Sequence, residues 1–134
     1  PRLVLLNKLL SDKGIVFIFQ INDLSGIKMC DEDIVVILSN LLNNAIEACE
    51  KCSGKKVMKM KLVKEKDNII ISVKNTYDGK LNIKDGEIQT SKKYEIDEHG
   101  VGIKNIIEVI TKYQGSYAIR NDNNEFYFSV ILPN

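Results

Sequence analysis

The sequence predicts an α+β fold, a two-layer sandwich with helices on one face of a mostly antiparallel mixed sheet. Three observations predict it. Stretches of helical period alternate with stretches of period two, the strands come largely in adjacent pairs joined by polar turns, and the longest helical stretch separates a lone strand from the first pair.

Residues 2–10 carry Leu3, Leu6, Leu9 and Leu10 at helical spacing, and Ser11-Asp12-Lys13-Gly14 stops that helix. Residues 15–21 read as a strand. After a polar turn, Asp31-Glu32-Asp33 places negative charge where a helix N-terminus favours it, and the apolar stretch 34–50 follows as the principal helix. Residues 55–63 alternate, with Val57, Lys59, Lys61 and Val63 on one face and Lys56, Met58, Met60 and Leu62 on the other. Glu65-Lys66-Asp67-Asn68 then turns the chain into a hairpin partner, residues 69–74. From Asn75 to about Gly102 no period persists and the composition turns to Gly, Asp, Lys, Ser and Thr. A loop of that length inside a domain points to a functional lid, placed here at about residues 76–101. Ile103, Ile106, Ile107 and Ile110 restore the helical period over residues 103–113, which Gln114-Gly115 ends. Residues 116–120 and 125–132 are two more strands, joined by Asn121-Asp122-Asn123-Asn124 and closed by Pro133.

The 134 residues, 44% hydrophobic and 28% charged with two prolines, suit one globular domain spanning residues 1–134. Nineteen basic residues against eighteen acidic ones leave no net field to hold nucleic acid or an anionic membrane. Apolar runs such as 15–19 and 69–71 fall far short of the roughly 20 residues that span a bilayer. The chain opens on Pro1 without a leader, and so reads as a piece of a longer protein. Three sparse cysteines suit a reducing, cytoplasmic setting. Cys49 and Cys52 form a C-x-x-C pair, but only Cys30 and His99 remain to complete a four-ligand zinc site, so apolar packing at a helix end is the expected role.

Three features carry chemistry. Asn40, Asn44 and Glu47 fall at i, i+4 and i+7, a polar stripe beside Ile37, Leu38, Leu41, Ala45 and Ala48. Asparagine is a poor helix-interior residue, so the stripe is either a solvated edge or a set of oxygen donors for a hard cation such as magnesium. Gly100-Val101-Gly102, ahead of the third helix, is either a loop joint or a place where backbone N–H groups meet an anion such as phosphate. Asn75 ends a strand where the lid begins, and is either an Asx turn or a reader of a flat heterocycle.

In order and spacing these features resemble the GHKL ATPases, the group that contains gyrase, heat-shock chaperones, sensor histidine kinases and MutL. Residues 37–48, Ile-Leu-Ser-Asn-Leu-Leu-Asn-Asn-Ala-Ile-Glu-Ala, resemble the family's N box, and His99-Gly100-Val101-Gly102-Ile103-Lys104-Asn105 its second glycine box. Phe128-Ser129-Val130-Ile131-Leu132-Pro133 is similar to the closing strand of the kinase branch. The wording N-L-L-N-N-A-I-E-A, V-K-N-T and H-G-V-G-I-K-N is most similar to kinases of peptide-sensing quorum receptors, the accessory gene regulator type.

The resemblance implies a Bergerat-type ATP-binding fold that takes ATP with Mg2+. Asn44 matches the family's magnesium-binding asparagine, and Asn40 stands where hydrolytic members carry a glutamate base. An amide takes no proton from water at neutral pH, so the resemblance implies phosphoryl transfer rather than fast hydrolysis. The catalytic residues implied are Asn40 and Asn44; the nucleotide-binding set adds Glu47, Asn75, Lys92, Lys93, His99, Gly100 and Gly102. Asn75 replaces the aspartate that receives the adenine amino group. Lys92 and Lys93 are either phosphate neutralisers or a solvated pair, and His99 either a hinge near the phosphates or a plain loop residue. The first glycine box is reduced to Asn75-Thr76-Tyr77-Asp78-Gly79, and Glu125-Phe126 replaces small residues before the closing strand.

The function implied is the catalytic domain of a two-component sensor histidine kinase in a cytoplasmic position. Its partners are upstream dimerisation and phosphoacceptor helices of an integral-membrane parent, and a downstream response regulator. No nucleic acid or membrane contact is expected of this domain itself. The alternatives are an anti-sigma-factor-type serine kinase and a pseudokinase docking module.

Overall fold

The computed structural model describes residues 2–78, 88–89, 100–122 and 124–134. Helix α1 (Arg2–Asp12) leads to strand β1 (Val16–Ile21), then helix α2 (Asp31–Glu50) and the hairpin of β2 (Val57–Glu65) and β3 (Asn68–Thr76). A two-residue strand, β4 (Ile88–Gln89), precedes helix α3 (Gly100–Lys112) and the pair β5 (Ser116–Asp122) and β6 (Glu125–Pro133). Each element expected from periodicity is present, which bears out the α+β reading. Several bounds shift by a few residues, and three differences matter. β4 is too short to leave a periodic signal and lies inside the stretch expected to be loop. β5 runs on to Asp122, past the Arg120 at which the turn-rich sequence was expected to end it. α3 begins at Gly100, so Gly100 and Gly102 lie in the first helical turn rather than ahead of it. Glycine adds nothing to an apolar pattern, yet adopts helical φ and ψ when its neighbours do.

The sheet order is β1-β2-β3-β6-β5-β4. β1 runs parallel to β2, and every other described neighbour is antiparallel. Parallel neighbours need a long crossover, and α2 lies within the one between β1 and β2. The register lines up rows of side chains across the strands. One row reads Phe19, Met60, Val73, Phe128, Ile119, and the next reads Ile21, Leu62, Ile71, Val130, Tyr117. Most of these residues are buried, because this face carries the helices.

α2 buries Ile37, Leu41, Ala45 and Cys49, each four residues after the last, which keeps one stripe of the helix on the core. Burying an isoleucine or leucine contributes about 1.5–3 kcal/mol, so this stripe holds α2 down despite the asparagines beside it. α3 contributes Ile103, Ile106 and Ile110, and α1 adds Leu10. The end of α3 is set by two residues. Gln114 takes the left-handed conformation, φ 58°, and Gly115 donates its N–H to the Ile110 carbonyl at 2.9 Å. A Cβ at Gly115 would lie 2.6 Å from the Ile131 carbonyl oxygen, so the turn passes too close to β6 for any side chain.

Cys49 and Cys52 are buried free thiols, as apolar packing requires, and burial pushes both up from the usual thiol range. Among the described residues no cluster of His, Cys, Asp and Glu could hold a metal ion, and no helix is long and apolar enough to cross a membrane. Most of the stretch expected to be a lid lies outside the described residues.

Candidate functional site

A mid-helix asparagine competes for backbone bonds, and Asn40 does so: its Nδ2 donates to the Val36 carbonyl one turn back, at 2.7 Å. That bond occupies the amide nitrogen and leaves Oδ1 as the acceptor. Asn44 sits one turn further along α2 and, like Asn40, is partly buried. Both oxygens meet the first turn of α3. A Cβ built on Gly102 would lie 3.1 Å from Asn40 Oδ1 and 3.7 Å from Asn44 Oδ1. No left-handed φ calls for glycine at this position; the approach of the two asparagines does.

The first four N–H groups of a helix have no acceptor within it, so those of Gly100 to Ile103, with the helix dipole, favour an anion. No acidic side chain stands in the first turn of α3 to compete for them. The stripe and the glycines, 58 positions apart at Asn44 and Gly102, thus meet in space. A neutral donor set of two carboxamide oxygens suits a hard cation that keeps waters and shares an anionic ligand. Such amides do not balance a double charge, so magnesium fits here only together with phosphate.

The other end of the helix pair is clamped. The Asp33 carboxylate accepts from Lys112 Nζ at 2.8 Å and from the Tyr113 hydroxyl at 2.5 Å, and the Cys30 N–H donates to that hydroxyl oxygen at 3.3 Å. The Lys112 hydrogen bond, then that of Tyr113, holds Asp33 below the usual carboxylate range, and Asp33 raises Lys112 in return. α2 and α3 are therefore held antiparallel, with Asp33 fixing one end and the asparagines facing Gly102 at the other.

Asn75 lies on the inner face of β3 and is 2% exposed. In its row it stands between Met58 and Phe126. Its Nδ2 donates to the Thr76 carbonyl at 3.0 Å, which fixes the orientation of an amide that keeps its second N–H and its Oδ1 acceptor. The Tyr77 ring meets the Phe126 ring edge-on at 6.0 Å, so aromatic surface adjoins the amide. Thr76 Oγ1 accepts the Val57 N–H at 3.2 Å and ties the end of β3 to β2. A buried amide beside aromatic side chains has the chemistry to meet a flat heterocycle.

A sequence profile of the GHKL domain family matches residues 29–133, which takes in both site helices and strands β2 to β6. The chain belongs to the GHKL domain family. No sequence among the curated proteins matches this GHKL domain. Its fold is that of histidine kinase catalytic domains. The nucleotide-free catalytic domain of histidine kinase ThkA is 19% identical with a TM-score of 0.73, covering 97% of this chain and 86% of that one. ThkA in complex with response regulator protein TrrA gives 19% and 0.62, over 97% of this chain and 37% of that one. Full-length ShkA in complex with AMPPNP gives 17% and 0.65, over 98% and 28%.

Within the GHKL domain the remaining expected site residues fall as follows. Gly100 is the first residue of α3. Glu47 is exposed, 4.0 Å from Lys51 just past the end of its helix, and the three atoms nearest a side chain at Gly102 all belong to Asn40 and Asn44. Lys92, Lys93 and His99 lie outside the described residues. Two residues in the row of Asn75 escape a reading of the sequence. Phe126 reads as a substitution in a motif, and only the register sets it beside Asn75. Asn121 reads as a turn residue, but it is 2% exposed and ends the row Met58, Asn75, Phe126. Its alternation with Tyr117 and Ile119 is the signal that would have placed it on the inner face.

Proposed function

We propose that this GHKL domain is the catalytic domain of a sensor histidine kinase of the accessory gene regulator type. It binds Mg·ATP and donates the γ-phosphoryl group to a histidine on upstream dimerisation helices. The convergence of the Asn40 and Asn44 oxygens on Gly102 at the start of α3 carries this reading. The nucleotide bound to full-length ShkA and the wording of the three motifs support it.

In this reading Asn75 Oδ1 accepts the adenine amino group, and Phe126 and Tyr77 exclude water from the base. The N–H groups of α3's first turn hold phosphate oxygens. Asn44, with Asn40 beside it, holds magnesium; the bound ion neutralises phosphate charge. Lys92, Lys93 and His99 complete the nucleotide-binding set. Asn40, an amide bonded to the Val36 carbonyl, takes no proton from water, so the γ-phosphoryl group is kept for transfer. The parent is a membrane sensor with this domain on its cytoplasmic side. Its partner is a response regulator, as ThkA is bound to TrrA.

Titration calorimetry of ATP into wild type and Asn44→Ala, with and without magnesium, tests the assignment. Wild type is expected to bind more tightly with magnesium, and Asn44→Ala to lose that gain. Equal magnesium dependence in both proteins would overturn it.

A further inference from the structure

The edge of a sheet presents unpaired N–H and C=O groups, and proteins guard edges with charge, proline, bulges or short strands. Among the described strands, the β4 edge is two residues long. The β1 edge has no such guard among the described residues. It runs six residues, Val-Phe-Ile-Phe-Gln-Ile, with no charge and no proline. The inner strands do carry charge: Lys59, Lys61 and Lys64 on β2, Lys74 on β3, Arg120 on β5 and Glu125 on β6. Charge is thus absent from the one long strand where an edge needs it. Val16, Ile18 and Ile21 are 54%, 49% and 52% exposed, so apolar residues stand open along this edge strand.

We propose that β1 pairs antiparallel with β1 of a second copy of this chain, about a two-fold axis at Ile18. That register sets Ile18 opposite the second copy's Ile18, Val16 opposite its Gln20 and Phe17 opposite its Phe19. Residues of like parity meet, so on the outer face Ile18 gains the second copy's Ile18 opposite it, with Val16 diagonal to that pair. On the inner face Phe17 and Phe19, already stacked at 6.1 Å, join the same pair of the second copy.

Charge selects this occupant. A charged strand finds no counter-charge on β1, whereas a copy of β1 brings none of its own. The lysines of the two β2 strands would stand three strand spacings apart, about 14 Å, beyond the Debye length of about 8 Å at physiological salt. Repulsion between them is screened. One strand pair makes a small interface, so the dimer is weak and reversible.

Sedimentation velocity on the whole chain, from low micromolar to millimolar concentration, is expected to show mass rising toward twice the monomer. Ile18→Lys, at a half-exposed position, is expected to stay monomeric with an unchanged melting temperature. A second variant tests the register without adding charge. In a Cys30→Ser background, Ile18→Cys should cross-link into dimers under mild oxidation, since directly opposed Cα atoms of an antiparallel pair lie about 4.5–5.5 Å apart, within disulfide reach. Val35→Cys, at a position 59% exposed on α2, should not. A wild type that stays monomeric throughout, a dimer that survives Ile18→Lys, or equal cross-linking of both cysteine variants would overturn the proposal.

Discussion

Replacing Gly102 with alanine separates what this residue does for the helix from what it does for the site. Gly102 lies in α3 without a left-handed φ, so the backbone accepts alanine there. Alanine in a helix interior is favoured over glycine by about 1 kcal/mol, and by less in the first turn. Against this, the new Cβ would lie 3.1 Å from Asn40 Oδ1, a few tenths of an ångström inside ordinary contact. Asn40 cannot yield freely, because its Nδ2 is held 2.7 Å from the Val36 carbonyl. Loss of that bond costs about 1 kcal/mol. The two effects nearly cancel, so the melting temperature should move by no more than about 5 °C.

Binding should respond differently. The methyl group would occupy the space that both asparagine oxygens face, where the phosphates and magnesium are proposed to sit. ATP affinity is expected to fall at least tenfold, about 1.4 kcal/mol. Thermal denaturation and competition against a fluorescent ADP analogue measure the two quantities on one preparation. Gly54→Ala, with nothing within 4 Å of its Cβ, is the control and should bind ATP as wild type does. Unchanged ATP affinity in Gly102→Ala would refute the site. A melting temperature lowered by more than 10 °C would show instead that Gly102 is there for packing.

Asn75→Leu should weaken ATP binding by about 1–3 kcal/mol, because the adenine amino group is left without its acceptor. Wild type should prefer ATP to GTP, since turning the amide to meet guanine breaks the 3.0 Å bond to the Thr76 carbonyl; equal affinity for both nucleotides in competition would count against this. Asp33→Asn should lower stability most between about pH 5 and 9. Asp33 is held below its ordinary value, so its contribution is present above about pH 3.9 and fades as pH falls through the lowered value. Lys112 is raised, so its contribution fades as pH rises through the raised value, and denaturant melts of the two proteins should converge at both extremes. Gly115→Ala should be destabilising by more than 1 kcal/mol, since its Cβ meets a backbone oxygen that cannot move aside; an unchanged denaturation midpoint would refute that.

The sequence by itself determined the elements, because helical and strand periods are local. Ile37, Leu41 and Ala45 announce the core face of α2, and the same spacing puts Asn40 and Asn44 one turn apart on its edge. What those asparagines face is not local. Only the packing of α2 against α3 sets their oxygens against Gly102, through the buried Ile37, Leu41, Ile103 and Ile106, with Asp33 tying the far end to Lys112 and Tyr113. The same holds for Asn75. Its place at a strand end was legible, but its neighbours depend on β6 lying between β3 and β5, with Phe126 in register with it. A slip of two residues would keep the same faces buried yet set Phe128 beside Asn75 instead of Phe126, and no local pattern in β3 or β6 excludes that slip. Strand order placed uncharged β1 at the edge as well. Spacing within an element belongs to the chain, whereas neighbours across elements are decided by which buried faces close on one another.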